Sequence, residues 1–216
     1  MGRRPKPQPP ASVRNRLTSR AARDNCGQPK CSPSGEVDFA GDHQIKPFRQ
    51  GNLDAFCGIY SLINAVNFAA KFPVIDNGTA RVIFRELSTV AMNLRTDKGQ
   101  PFYGLSGHHL RHLANAMISG LAEVDIHVQL KTLRQAFPKF DFATTRKSRW
   151  FKTAQDTPNI ALILRINTKL ISHWSVFRAY EGKSIDLFDS VGIDECANRS
   201  CTIWGVVIYT DITQST

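Results

Sequence analysis

Cys57-Gly58-Ile59-Tyr60-Ser61-Leu62-Ile63-Asn64-Ala65-Val66, led in by Gln50-Gly51-Asn52-Leu53-Asp54-Ala55-Phe56, is the stretch from which the fold is read. Turn-forming, glycine-containing sequence gives way at Cys57 to apolar residues at Ile59, Leu62, Ile63 and Val66, the spacing of one helix face. Cys57 therefore opens a helix. Backbone N–H groups without intrahelical acceptors, together with the positive end of the helix dipole, favour a negative charge there, which is what a nucleophilic sulfur needs.

A nucleophile of this kind needs a proton shuttle and a group that orients the shuttle. Ser172-His173-Trp174-Ser175-Val176-Phe177-Arg178-Ala179-Tyr180 and Ser184-Ile185-Asp186-Leu187-Phe188-Asp189, separated by Glu181-Gly182-Lys183, read as a hairpin. With a three-residue loop at Glu181, Gly182 and Lys183, Tyr180 faces Ser184 and Asp189 faces Ser175. Asp189 then shares a sheet face with His173 as its diagonal neighbour, while Asp186 points the other way. A two-residue turn would move the register by one and separate the pair.

The order Cys57, His173, Asp189, with the cysteine opening a helix and the other two on neighbouring strands, resembles the papain-like cysteine peptidase superfamily over about residues 44 to 210. The resemblance implies an α+β fold, with the catalytic helix packed on an antiparallel sheet that carries His and Asp. It also implies that Cys57 is the nucleophile, His173 the proton shuttle and Asp189 its orienting partner, with no cofactor. A glutamine ahead of the cysteine donates to the oxyanion in that family, and Gln50 matches it by type, one residue farther from Cys57 than the usual spacing. Asn52 and Gln44 are alternative donors. Each residue also has an ordinary reading: Cys57 as packing, His173 as a core histidine beside Trp174, and Asp189 as a turn cap.

The chain has 216 residues and a net charge of +10, unevenly divided. Residues 1–35 hold eight Lys and Arg against the single acid Asp24, whereas residues 36–216 hold twenty basic against seventeen acidic residues. The charge therefore belongs to the tail, and a nucleic-acid partner is not expected. Rich in Pro, Ser and Arg, residues 1–35 lack the apolar surface to offset ordering and read as a disordered tail ahead of one domain, 36–216. The tail reads as an export or targeting signal for a dedicated secretion machine, an anchor to anionic surfaces, a removable propeptide, or simply a solvated leader. No apolar run reaches the length of a membrane span, and no secretory signal core precedes the five cysteines, so a cytoplasmic, reducing compartment is expected.

Along the chain, the catalytic helix is expected from Cys57 to about Ala70, ending before Pro73. A turn at Asp76-Asn77-Gly78 follows, then a helix capped by Thr79 with Ile83, Leu87, Val90, Ala91 and Leu94 inward. Residues 96–107 read as a loop in which Tyr103, with Phe102 and Gly104, lines a substrate cleft together with Asn52 and Trp174. A third helix from Gly107 to about Ile118 buries Leu110, Leu113, Ala114 and Met117. Its His108 and His112 are one turn apart, but the glutamate of a metalloprotease helix is missing, and polar surface residues are the simpler reading. Val124 to Leu130 alternates as a strand, a short helix surrounds Leu133 to Phe137, and residues 139–152 read as a basic loop with Trp150 and Phe151 interleaved. That loop is either an exposed face with one aromatic tucked beneath it, a single-strand nucleic-acid contact, or a contact for an acidic substrate. Ile160–Ile166 and Thr202–Tyr209 complete the sheet. Cys26, Cys31, Cys196 and Cys201 have zinc-compatible spacing at its permitted limit, but one pair falls in the tail and no metal is expected.

The function expected is a cysteine hydrolase of peptide or isopeptide bonds acting on a protein or peptide substrate. The same residues would also serve a glutamine deamidase or transglutaminase through a thioester at Cys57. A binding module of the same fold, without activity and with a basic tail, is the third reading.

Overall fold

A computed structural model describes residues 45–49, 56–94, 105–141, 145–167 and 172–210. The tail, 1–35, with Cys26 and Cys31, lies outside these residues, as do Gln44, Gln50, Asn52 and Tyr103.

Helix α1, Cys57–Ala70, has the bounds its sequence pattern dictates and ends at Lys71, whose φ of 63° is left-handed. Twelve of its fourteen residues are buried, so it is a central helix rather than a surface one. Two buried amides on it are satisfied. Asn67 exchanges bonds with the backbone of Ile75, at 2.9 and 2.8 Å, and Asn64 accepts from Phe48 N at 2.7 Å. Helix α2, Asn77–Asn93, absorbs the expected turn: the cap is Asp76, whose carboxylate accepts from Thr79 N at 2.6 Å. Leu94, expected inward, is 38% exposed. Helix α3, Gly107–Ala122, starts at its cap Ser106 and buries Leu110, Leu113, Ala114 and Met117.

The strand expected from Val124 is shorter: β1 is Val128–Lys131. Val124 N and Asp125 N still bond to carbonyls at the end of α3, and Asp125 adopts φ 59°, so the extended conformation cannot begin there. Helix α4, Leu133–Ala136, is fixed by a capping box between Thr132 and Gln135. The expected basic loop contains a second correction. Lys147–Gln155 is helix α5, with Phe151 fully buried and stacked on Phe177 at 5.1 Å between centroids. Arg149 and Lys152 stay on the outer face, as the simplest of the three readings of that segment required, whereas Lys147 is half-buried and donates to Cys201 O.

Strands β2, Ile160–Asn167, β3, Ser172–Glu181, β4, Ser184–Phe188, β5, Glu195–Ala197, and β6, Cys201–Tyr209, join β1 in one sheet. Its order is β1-β6-β2-β3-β4-β5, and every pairing is antiparallel. The chain is α+β. One sheet face, with Ala161, Ile163, Trp174, Val176 and Val207, packs on helices α1 to α3. The other, with Leu162, Leu164, Phe177 and Leu187, packs on Phe151 and Ala154 of α5. Each fully buried Leu, Ile or Phe adds about 1.5–3 kcal/mol relative to exposure, so the two layers hold the sheet from both sides.

The β3–β4 hairpin departs from expectation in a way that leaves its consequence intact. Glu181 pairs with Ser184, so the turn has two residues, Gly182 and Lys183, and Gly182 takes φ 71°. Between Phe177 and Ala179 the register shifts by one, leaving Arg178 without a cross-strand partner. The bulge cancels the shorter turn. Val176 pairs with Phe188, which brings Asp189 opposite Ser175, diagonal to His173.

Candidate active site

Cys57 is the first residue of α1, 7% exposed, and its neighbour Gly58 lets the helix start close against α3. A Cβ at Gly58 would stand 2.9 Å from Leu110 Cδ1 and 3.1 Å from Leu105 Cδ1. Close approach is therefore the reason for glycine after the cysteine.

His173, on β3, is 6% exposed, and its Nε2 lies 2.6 Å from Asp189 Oδ2. Asp189 does not use the other ring nitrogen, and Cys57 lies near enough to act on the imidazole. Burial alone would push the imidazole pKa down. The hydrogen bond with Asp189, then the side chain of Cys57, and the charges of both, outweigh burial and raise it from 6.5 to about 9. At neutral pH the ring is an imidazolium.

Asp189 is 3% exposed and spends both oxygens. Oδ1 accepts from the backbone N–H groups of Val191, Gly192 and Ile193, at 2.7, 3.1 and 3.3 Å. Burial would raise this carboxyl, but the hydrogen bond and charge of His173, with the Val191 N–H, hold it below its ordinary range. Asp189 is thus both a turn cap and the partner of the histidine, through different oxygens. Gly192, at φ 91°, supplies the left-handed backbone that aims these N–H groups inward. Asp186 lies elsewhere, in an exposed ion pair with Arg178 at 3.4 Å.

Of the residues expected to meet substrate, Gln50, Asn52 and Tyr103 lie outside the described residues. Trp174 is a correction. It is 2% exposed, its indole N–H donates to Leu105 O at 2.9 Å, and its ring meets Trp204 edge-on at 5.6 Å. Buried this way, it anchors the strand beside His173 instead of offering a face to substrate. Ser175, Leu105 and the Val191-Gly192-Ile193 amides were not singled out from the sequence. The run Asp189-Ser190-Val191-Gly192 carried a signal for the last of these, an Asx-type turn ending in glycine.

The remaining thiols and imidazoles are arranged differently. Cys196 and Cys201 are free thiols that act on one another. That interaction, with burial, pushes the Cys196 thiol up. The same interaction, opposed by burial and assisted by the Lys147 charge, brings Cys201 down. His108 and His112 sit with their Nε2 atoms 3.0 Å apart on the exposed side of α3. Among the described residues no group of three or more His, Cys, Asp or Glu side chains is placed to hold a metal ion, and no helix is long and apolar enough to cross a membrane.

No protein-family model matches the chain, and no curated protein is similar to it.

Proposed function

We propose that the chain is a papain-like cysteine hydrolase of peptide or isopeptide bonds. The observation that supports this most is the cluster Cys57, His173, Asp189, in which one imidazole is bonded to a buried carboxylate and lies near enough to a helix-opening cysteine to feel its side chain and charge. Core histidines seldom need a carboxylate that is itself held by three amides. A shuttle does, because Asp189 fixes the ring orientation and stabilises its positive charge.

In the reaction, Cys57 Sγ attacks the scissile carbonyl carbon, forming a C–S bond and placing negative charge on the carbonyl oxygen. The Cys57 backbone N–H, at the first helical position, and the Gln50 side chain receive that charge. Losing one such donor typically costs about 100-fold to 1000-fold in rate. The carbonyl reforms as the C–N bond breaks, and the His173 imidazolium gives its proton to the departing amine. Water then attacks the thioester, His173 takes the water's proton, and the C–S bond breaks to release the carboxylate and restore Cys57. No step calls on a cofactor.

The test is product analysis with a polypeptide substrate pool, comparing wild type with Cys57→Ala. New amino termini that depend on Cys57 are expected. Release of ammonia without new termini would replace this reading with glutamine deamidation on the same residues, and neither product, across a proteome-derived pool, would leave a binding module.

A further inference from the structure

We propose that the groove between α1, α2 and the segment at Phe48–Arg49 is the site that selects substrate, and that it takes an acidic peptide segment bearing an aromatic or large aliphatic side chain. This deepens the hydrolase reading and rests on it for the identity of the ligand as polypeptide.

The groove encloses about 610 Å³, within the range of sites that hold a small ligand or a few side chains. Its floor is aromatic. Phe84 of α2 packs against Tyr60 of α1 at 4.9 Å and edge-on against Phe56 at 5.7 Å. Phe48 closes the far wall, and it is fixed there: the side chain of Asn64, 1% exposed, accepts from Phe48 N at 2.7 Å and donates to Phe48 O at 3.3 Å. A buried amide devoted to holding one wall makes the groove a built feature.

The rim is cationic. Arg81 and Arg85, exposed and one turn apart on α2, form it; Arg49 also lines the groove, but its guanidinium lies against Gly192. Among the described residues, none that lines the groove is acidic, and none of the three arginines has a carboxylate partner. Like charges at this helical spacing cost stability, a cost that a bound anion removes. Guanidinium forks grip carboxylates with paired hydrogen bonds. Apolar floor and cationic rim together call for an apolar side chain flanked by carboxylates.

A nucleic acid suits the groove less well. Residues 36–216 carry twenty basic against seventeen acidic residues, without the broad positive field that tracks a phosphate backbone. The rings pack on one another in place of presenting open faces for bases. Position favours substrate selection, because Tyr60 is three residues after Cys57, about one helical turn along α1.

Binding is measured on full-length Cys57→Ala, so that it is read without turnover, by fluorescence anisotropy. The probes are acetyl-Glu-Glu-Phe-Glu-Glu-amide, its Lys-for-Glu and Ser-for-Phe counterparts, and a short oligo-dT. The basic tail is common to every protein compared, so the readout is the change produced within the groove. Adding Arg81→Glu and Arg85→Glu is expected to weaken the acidic peptide by at least about tenfold, the loss of two charge-assisted pairs, and to strengthen the Lys peptide. Arg81→Gln with Arg85→Gln, which removes the two cations without adding an anion, is expected to give the first effect without the second. The Ser peptide is expected to bind more weakly than the Phe peptide. Unchanged affinity in both double variants, equal binding of the Phe and Ser peptides, or tighter binding of oligo-dT that the same substitutions abolish would each overturn the proposal. Failure here leaves the chemistry at Cys57 standing, whereas absent hydrolysis with retained charge-dependent binding would sink the hydrolase reading alone.

Discussion

His173 Nε2 and Asp189 Oδ2 are 2.6 Å apart, and the second oxygen of the same carboxylate is held by three consecutive backbone N–H groups. This double use makes Asp189 intolerant of its closest isostere. In Asp189→Asn, whichever way the amide is turned, its NH2 faces a donor, either the imidazole N–H or the Val191-Gly192-Ile193 amides. The imidazole loses its charged partner, so the His173 pKa is expected to fall from about 9, and turnover to fall by about 100-fold to 10,000-fold. NMR titration of the His173 ring and steady-state kinetics check the two together.

Stability should depend on pH through the same pair. The folded pKa of His173 is raised above its unfolded value, so its contribution is complete below about 6.5 and is lost as pH rises through about 9. At 1.36 kcal/mol per unit this is on the order of 3 kcal/mol. The Asp189 carboxyl is lowered, so its contribution is present above the ordinary carboxylate range and is lost on acidification through it. The gap between the urea midpoints of wild type and His173→Ala, measured from pH 6 to 10, should narrow towards the alkaline end, leaving the pH-independent cost of the lost buried ring.

The hairpin makes a prediction about deletions. Arg178 is the unpaired residue of the bulge, and its ion pair with Asp186 is exposed, hence weak. Removing Arg178 leaves Glu181 opposite Ser184 and Val176 opposite Phe188 with no bulge, so Asp189 stays opposite Ser175. Hydrolysis is expected to survive that deletion within about tenfold, with one bulge's worth of local geometry changed. Deleting Asp186 instead shifts β4 by one residue and is expected to abolish activity in a chain that remains folded by circular dichroism.

Phe151 is fully buried between Phe177 and Tyr180, with ring centroids at 5.1 and 6.0 Å. Phe151→Ala is expected to lower unfolding free energy by about 3–5 kcal/mol. The neighbouring Arg149→Ala, on the exposed side of the same helix, is expected to change it by less than about 0.5 kcal/mol. Denaturant titration distinguishes a helix docked through one aromatic from a solvated basic loop.

What the sequence disclosed, and what it hid, follows from where each signal resides. The helix at Cys57 was legible because Ile59, Leu62, Ile63 and Val66 are core residues at helical spacing. The facing of Asp189 and Ser175 was legible too, but through compensating errors. A two-residue turn was read as three, and a bulge at Arg178, for which an Arg in a strand leaves no sequence mark, restored the parity. Helix α5 was hidden because only Phe151 and Ala154 bury deeply in it, too few to show a period among its cations. The start of β1 was hidden because Val124 and Ile126 alternate correctly, while the backbone at Asp125 is still turning off α3. Trp174 was misjudged for a related reason: aromatic identity does not reveal whether a ring is covered by neighbouring helices or open to a cleft.

The most direct measurement is labelling of Cys57 by an electrophilic peptide or ubiquitin-like probe, located by peptide mass mapping, in wild type, His173→Ala and Cys57→Ala. Mapping separates Cys57 from Cys201, whose thiol pKa is lowered, and from Cys196. The account predicts rapid modification of wild-type Cys57, a rate at least about 100-fold lower in His173→Ala, and none at this position in Cys57→Ala. Equal rates for wild type and His173→Ala would contradict it, because the imidazole would then do nothing for the sulfur.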